Sequence, residues 1–253
     1  MMKDNHDMNA DFIASLKKIQ DTLIPPIHPA GWPFIVGFAF ATILLSLVAE
    51  PLGFIGLFIT VWCFYFFRDP KRITPTREGL VISPACGTVS HITPNVPLPK
   101  ELDKAKNKKN DYTRVSIFLN VFNVHVNRFP IDGKITQKAY QPGAFVNAAF
   151  DKASEENERA ALLFEVKDGK KKHEMAVVQI AGWVARRILN DATEGQEFKA
   201  GERFGIIRFG SRVDVYLPAG IEPMVCIGQS TVEGETVLAD LSSTELLRVG
   251  EIR

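Results

Sequence analysis

PFIVGFAFATILLSLVA, residues Pro33 to Ala49, and LGFIGLFITVWCFYFF, residues Leu52 to Phe67, carry no charged side chain, and only Glu50 and Pro51 separate them. Each run is close to the roughly 17 residues that the shortest membrane-crossing helices need. A secretory signal fits poorly: the apolar stretch is too long, starts too late, and has no small-residue cleavage pattern behind it. A helical hairpin buried in a soluble core is the alternative, but a fold of this size rarely needs two uncharged helices of such length. The pair reads as a membrane-associated helical hairpin, either two short spans or a re-entrant insertion.

Charge on the flanks orients that hairpin. Lys3, Lys17 and Lys18 precede it, Arg68, Lys71, Arg72 and Arg77 follow it, and the Glu50-Pro51 turn has no cation. The excess of Lys and Arg on cytoplasmic flanks then puts both ends on the cytoplasmic side of the inner membrane, with the rest of the chain lying against the bilayer there. Upstream, Phe12, Ile13, Leu16, Ile19, Leu23 and Ile24 recur at helical spacing within Asp11 to Ile24. That pattern predicts an amphipathic helix packed on protein or lying at the membrane interface. The expected divisions are 1–30 for this amphipathic segment, 31–68 for the hairpin and 69–253 for one further domain.

Composition narrows the function classes. The 253 residues are 46% hydrophobic and 23% charged, and the net charge is +1, so bulk charge gives no case for nucleic-acid binding. Cys63, Cys86 and Cys226 have neither metal-site spacing nor an even count, which argues against a metal site and a disulfide framework and for a reducing compartment.

Beyond Arg68 the chain reads as mostly β. Leu80-Val81-Ile82, Arg114 to Leu119, Leu162 to Val166, Met175 to Ile180, Phe204 to Ile207 and Val213 to Leu217 are short β-prone runs. In the last, Val213, Val215 and Leu217 alternate with Asp214 and Tyr216, which predicts a half-buried strand. Lys167-Asp168-Gly169-Lys170 predicts a hairpin turn. Glu155 to Leu163 and Trp183 to Leu189 are expected to form short helices, and Lys100 to Asp111 a solvated, charged loop or a contact with anionic lipid.

Three segments hold residues suited to chemistry. Arg208-Phe209-Gly210-Ser211-Arg212-Val213-Asp214 joins a conformationally permissive glycine to a serine whose hydroxyl can attack the glycine carbonyl, although a Gly-Ser pair is more often only a turn. Phe122-Asn123-Val124-His125-Val126-Asn127-Arg128-Phe129-Pro130 contains an imidazole, the side chain best matched to proton transfer near neutral pH, or else a hydrogen-bonded structural residue. Ser83-Pro84-Ala85-Cys86-Gly87-Thr88-Val89 sets a thiol at the tip of a tight loop, where it is structural unless a nearby cation ionises it.

In chain order these segments resemble the phosphatidylserine decarboxylase family, in its short bacterial and archaeal form. Phe67-Arg68-Asp69-Pro70 with Arg72 and Pro75 resembles the family's approach to its catalytic domain. Ser83-Pro84-Ala85-Cys86-Gly87 resembles its Pro-x-Asp-Gly loop, and Val124-His125-Val126-Asn127-Arg128 with Pro130 and Gly133 its histidine segment. Ile180-Ala181-Gly182 with Ala185-Arg186-Arg187-Ile188 resembles a further block, and Phe209-Gly210-Ser211 its self-cleavage site.

The resemblance implies a mainly β (α+β) catalytic domain over 69–253, preceded by the membrane-associated hairpin. It implies a proenzyme that cuts itself between Gly210 and Ser211, giving a β chain (1–210) and an α chain (211–253) that begins with a pyruvoyl group made from Ser211. It implies conversion of phosphatidylserine to phosphatidylethanolamine and carbon dioxide, with His125 as base and proton donor and Arg186 and Arg187 toward the headgroup. The partners expected are the phospholipid, the membrane and the chain's own two fragments, with no nucleic acid; association with further copies stays open.

One position departs from the family. Its loop acid is aspartate, and Cys86 stands there. A neutral thiol cannot support an imidazolium as a carboxylate does. Slow processing, accelerated in Cys86→Asp, is the expectation; an ionised Cys86 doing the work of the acid is the competing one. Two rival functions follow from the same residue, a catalytically impaired lipid-binding homologue and a hydrolase with Cys86 as nucleophile.

Overall fold

The computed structural model describes residues 25–105, 112–143, 157–169, 171–182, 187–208 and 210–251. The amphipathic reading of Asp11 to Ile24 lies outside them. The chain divides into two compact units between Lys71 and Arg72.

In the first unit, α1 (Trp32–Val48) and α2 (Glu50–Phe66) are antiparallel helices. The turn is a single extended residue, Ala49, so Glu50 and Pro51 belong to the first turn of α2 rather than to a loop. Proline is tolerated there because the early helical N–H groups have no partner to lose. The helices meet through small residues. A Cβ on Gly53 would lie 2.8 Å from the Ser46 Cβ, a Cβ on Gly56 would lie 2.7 Å from the Thr42 Oγ1, and the Thr42 and Thr60 hydroxyls sit 3.1 Å apart. Large apolar side chains such as Phe40, Leu47, Phe54 and Phe58 point outward and are exposed. Small and hydroxylic groups between the helices with aliphatic and aromatic groups outside is an arrangement that helices packed within a membrane also use. Among the described residues, one helical stretch, Pro29–Val48, with 20 residues and a mean hydropathy of 2.0, is long and apolar enough to cross a membrane. Trp32 and Tyr65 stand at the same end of the hairpin, and the Arg68 guanidinium covers the Tyr65 ring at 3.6 Å, a pairing suited to the water–lipid boundary.

The second unit is built from strands: β1 (Leu80–Ile82), β2 (Gly87–Val96), β3 (Tyr112–Leu119), β4 (Val126–Arg128), β5 (Gly133–Gln141), β6 (Arg159–Asp168), β7 (Lys171–Ala181), β8 (Ile188–Asn190), β9 (Glu197–Phe198), β10 (Arg203–Ile207), β11 (Ser211–Leu217), β12 (Ser230–Thr231) and β13 (Val237–Asp240). Among the described residues they form an eight-stranded antiparallel sheet in the order β12-β2-β3-β11-β7-β6-β5-β9, a three-stranded sheet β4-β10-β8 and a pair β1-β13. The fold is therefore mainly β behind an N-terminal helical hairpin. β6 and β7 close through a two-residue loop in which Gly169 has φ +57°, as the Lys167–Lys170 signal predicts.

Two segments differ from the sequence reading. Of the helix expected over Glu155 to Leu163, 155 and 156 lie outside the described residues and Arg159 to Leu163 lie in β6, where Ala160 to Leu163 pair with Gln179 to Ala176 across the sheet; the β-prone run Leu162 to Val166 is strand as expected. Ile188 and Leu189 lie in β8, paired with Ile207 and Ile206, while 183–186 fall outside the described residues. Tertiary pairing overrides the local helical pattern in both cases.

β11 occupies the middle of the large sheet, flanked by β3 and β7, and all seven of its residues are buried. Val213, Val215 and Leu217 enter the larger core with Ile117, Leu119, Phe164 and Val177. Tyr216, on the opposite face, enters a second core with Leu98, Leu102, Leu163 and Val178. The expected half-buried strand is thus covered on both faces. Leu98, Leu102 and Ala105 supply the second cover, and Glu101 pairs with Arg159, so the start of the charged loop packs instead of being solvated.

Candidate active site

Three strand ends converge on the Gly210–Ser211 bond. β4 begins one residue after His125, and the Ile207 N–H donates to the His125 carbonyl at 3.2 Å. The β4–β10 pairing thereby carries the histidine alongside the chain as it leaves β10 for β11. On the other flank, Ser211 pairs with Ala181 of β7 and Leu119 of β3. Gly210 has φ +70°, a region that side chains with a Cβ avoid, and open space surrounds the position of its missing Cβ. Glycine is required here by backbone conformation, not by crowding.

The Gly210 residue is held through both of its polar groups. Its N–H donates to His125 Nε2 at 3.3 Å, and its carbonyl oxygen accepts from the Gly182 N–H at 3.1 Å. His125 is fully buried, and its Nδ1 lies 2.9 Å from the Asn123 carbonyl oxygen, which can only accept. The hydrogen-bond pattern therefore assigns the neutral tautomer with the proton on Nδ1 and the lone pair on Nε2. Nε2, the basic nitrogen, is the one beside Gly210.

Ser211 starts β11 on the same strand face as Val213 and Val215, and it is fully buried. Its Oγ has no hydrogen-bond partner. Leaving a hydroxyl unsatisfied in the interior costs about 1–3 kcal/mol, so such groups are uncommon and call for a reason. Here the unsatisfied hydroxyl adjoins a carbonyl that already receives an N–H. The arrangement can support attack of Oγ on the Gly210 carbonyl: a base nearby, a donor on the oxygen where negative charge develops, and a nucleophile with no competing bond. Ser211 is also the residue able to become a covalent cofactor, since its side chain and its amide adjoin the bond that would break.

Cys86 sits between β1 and β2, half-buried, and Asn123 Nδ2 donates toward its Sγ at 3.7 Å. Gly87 is obligatory, because a Cβ there would collide with the Phe118 carbonyl oxygen. Burial first, and then the charge of Glu233, push the Cys86 thiol above its ordinary range, with the Val124 N–H, Arg72 and Asn123 opposing. Cys86 is accordingly a neutral thiol at neutral pH rather than the thiolate of the competing expectation.

Arg187 is exposed, and its carbonyl accepts from the Arg208 N–H at 3.2 Å, extending the β8–β10 pairing by one step. Burial and the neighbouring Arg187 charge hold the Arg208 guanidinium below the usual arginine range. Arg186 lies outside the described residues. The structure thus brings together His125, Gly210 and Ser211, sets Cys86 against Asn123, and places Arg187 just before β8, bonded through its carbonyl to the Arg208 that follows β10.

Sequence reasoning gave no role to Gly182, to the Asn123 carbonyl or to Glu233. Gly182 stood within a quoted block, but a backbone donor leaves no side-chain signal. Glu233 is far from the other site residues in sequence, and no motif marks it.

Comparison with known proteins follows the same residues. The family model described as phosphatidylserine decarboxylase matches residues 59–239. A phosphatidylserine decarboxylase proenzyme of Cereibacter sphaeroides is 59% identical over 232 residues, covering 92% of this chain and 97% of that protein. Proteins of the same name from Ruegeria pomeroyi and Paramagnetospirillum magneticum are 55% identical over 224 residues and 54% identical over 228, covering 88% and 90% of this chain and 99% and 92% of theirs.

Proposed function

The chain belongs to the phosphatidylserine decarboxylase family, and on that premise we propose that it cuts itself at Gly210–Ser211 and converts phosphatidylserine to phosphatidylethanolamine and carbon dioxide. The observation that carries the self-processing step is the Gly210 residue held between His125 Nε2 and the Gly182 N–H, with the unsatisfied Ser211 hydroxyl next to it.

Once the Gly210 N–H releases His125 Nε2, that nitrogen takes the Ser211 hydroxyl proton as Oγ adds to the Gly210 carbonyl carbon. The Gly182 N–H steadies the oxygen that becomes negative. When the carbon–nitrogen bond breaks, the imidazolium returns its proton to the Ser211 nitrogen, leaving an ester between Gly210 and the Ser211 side chain. Loss of the Ser211 Cα proton expels the Gly210 carboxylate and leaves dehydroalanine. Water then adds and ammonia leaves, so residue 211 ends as a pyruvoyl group. The residues present fit that group: it would remain at the head of β11, in the register Ser211 has with Leu119 and Ala181. Its ketone, conjugated to an amide, supplies an electron sink for decarboxylation that no ordinary side chain offers. His125, one residue before β4, is the proton donor to the carbon that loses carbon dioxide, and Arg187 with Arg186 binds headgroup oxyanions through paired N–H groups.

The catalytic domain is assigned to 69–253 and the anchor to 31–68, with the hairpin in the inner membrane and both flanks cytoplasmic. The outward-facing apolar surface of α1 and α2 and the flanking Arg68, Lys71, Arg72 and Arg77 support that placement. The relatives' names and their coverage of the chain favour an active decarboxylase over an impaired lipid-binding homologue. Ser211→Ala tests the proposal. It removes the attacking oxygen, so the chain should stay whole and release no carbon dioxide from phosphatidylserine in detergent micelles; full activity in that variant would overturn the mechanism.

A further inference from the structure

Glu233 is a buried carboxylate with no place in the mechanism above. It lies between β12 and β13, its side chain is wholly excluded from solvent, and Arg72 contacts its Oε1 at 2.7–2.8 Å. Its Oε2 is buried and has no hydrogen-bond partner. A buried carboxylate oxygen left unsatisfied is costly, and one guanidinium contact on the other oxygen does not remove that cost.

The backbone explains what Glu233 faces. Its loop is fastened to the Cys86 loop on both sides: Thr231 Oγ1 donates to the Ala85 carbonyl at 3.0 Å, the Gly234 N–H to the Ser83 carbonyl at 2.8 Å, and the Ser83 N–H to the Thr236 carbonyl at 2.7 Å. The Cys86 Sγ in turn receives Asn123 Nδ2, and the Asn123 carbonyl receives the His125 Nδ1 proton. A continuous set of contacts therefore runs from the Glu233 loop through Cys86 and Asn123 to the imidazole beside Gly210. Arg72 and Arg128 are the cations that act on Glu233, and Cys86 is its titratable neighbour: burial raises both groups, and the charge of Glu233 raises the thiol further.

We infer that Glu233 is the positioning acid of the processing site, supplying from the C-terminal segment the negative charge that residue 86 does not provide. The inference rests on the self-processing reading. Burial raises the Glu233 carboxyl above the ordinary glutamate range, and the Arg72 ion pair, the Glu233 backbone N–H and the Arg128 charge oppose that shift and favour the charged form. Charge there, together with the Cys86–Asn123 contact, favours the Nδ1-protonated ring and the imidazolium that forms when His125 takes the Ser211 proton. Glu233 touches no reacting atom and acts through its neighbours. One carboxylate at either of two adjoining positions should then suffice, so the acid is movable between 233 and 86.

The experiment follows chain cleavage with time in wild type, Glu233→Gln, Cys86→Asp and the double variant, all as full-length protein in detergent, with thermal unfolding measured alongside. Loss of one close charge interaction is worth about one pKa unit, so Glu233→Gln should cleave about tenfold more slowly or worse. Cys86→Asp alone should gain less than about tenfold over wild type, because a charge is already present, and in the Glu233→Gln background it should raise the rate back toward wild type. Such rescue does not come from a merely structural Glu233. If Glu233→Gln does not fold, Cys86→Asp with Glu233→Ala is the deciding variant and must cleave like wild type. Wild-type cleavage in Glu233→Gln, or loss without rescue, overturns the inference while leaving self-processing intact. A gain above about tenfold in Cys86→Asp alone also overturns it, since the thiol would then be the weak point. A wild-type chain that never cleaves defeats the underlying reading instead.

Discussion

Asp214→Ala is expected to destabilise the strand that carries Ser211. Arg212 and Asp214 are both wholly buried, and they pair through two contacts, Nε to Oδ1 at 2.6 Å and Nη2 to Oδ2 at 2.8 Å, on the face of β11 opposite Ser211. Removing the carboxylate takes two charge-assisted contacts from a wholly buried guanidinium, and breaking a buried ion pair costs about 3–5 kcal/mol. For a domain of this size each kcal/mol moves the midpoint by about 2–4 °C, so unfolding should begin roughly 6–20 °C earlier. The measurement is best made in the Ser211→Ala background, where every sample is one uncut chain. The companion variant Arg212→Met with Asp214→Leu replaces both charges by apolar groups of similar reach and should recover most of the loss. In the cut protein the same strand holds the 211–253 fragment in place through its ladders to β3 and β7, so Asp214→Ala should also release that fragment on gel filtration after processing. A midpoint shift below about 3 °C would refute the reasoning, as would a double variant worse than Asp214→Ala.

Other outcomes follow from the same structure. His125→Gln removes the basic nitrogen beside Gly210, and cleavage followed on gels should slow by about 10²–10⁴-fold. Full-length protein should sediment with membranes and resist high-salt extraction, whereas a chain beginning at Arg68 should be markedly more soluble. Alkylation of Cys86 by iodoacetamide, followed by peptide mass, should be slow at neutral pH and rise only above the ordinary thiol range, because burial and Glu233 favour the protonated form; fast labelling at pH 7 would indicate a thiolate.

Much of this molecule was legible in the sequence because its signals are local. The uncharged runs on either side of Glu50-Pro51 give the hairpin, and Gly169 between two β-prone runs gives the β6–β7 turn at φ +57°. The Gly210-Ser211 pair and His125 were legible by motif. What joins them was not. His125 reaches Gly210 only because β4 pairs with β10, and the Gly182 N–H reaches the Gly210 carbonyl only because β7 lies beside β11. β11 looked half-buried because its alternation is genuine, but the alternation does not reveal that Leu98 and Leu102 cover the polar face. The helices expected over Glu155 to Leu163 and Trp183 to Leu189 gave way, at Arg159 to Leu163 and at Ile188 and Leu189, to strand pairing whose deciding partners are not read from the local pattern.

Self-cleavage at Gly210–Ser211 is the central claim, and the intact mass of the purified protein tests it most directly. The account predicts two chains: one ending at Gly210 with a free carboxylate, the other covering 211–253 and lighter by one ammonia than a fragment beginning with serine. A single uncut chain that still releases carbon dioxide from phosphatidylserine would contradict it, and so would a 211–253 fragment whose mass retains the serine amine.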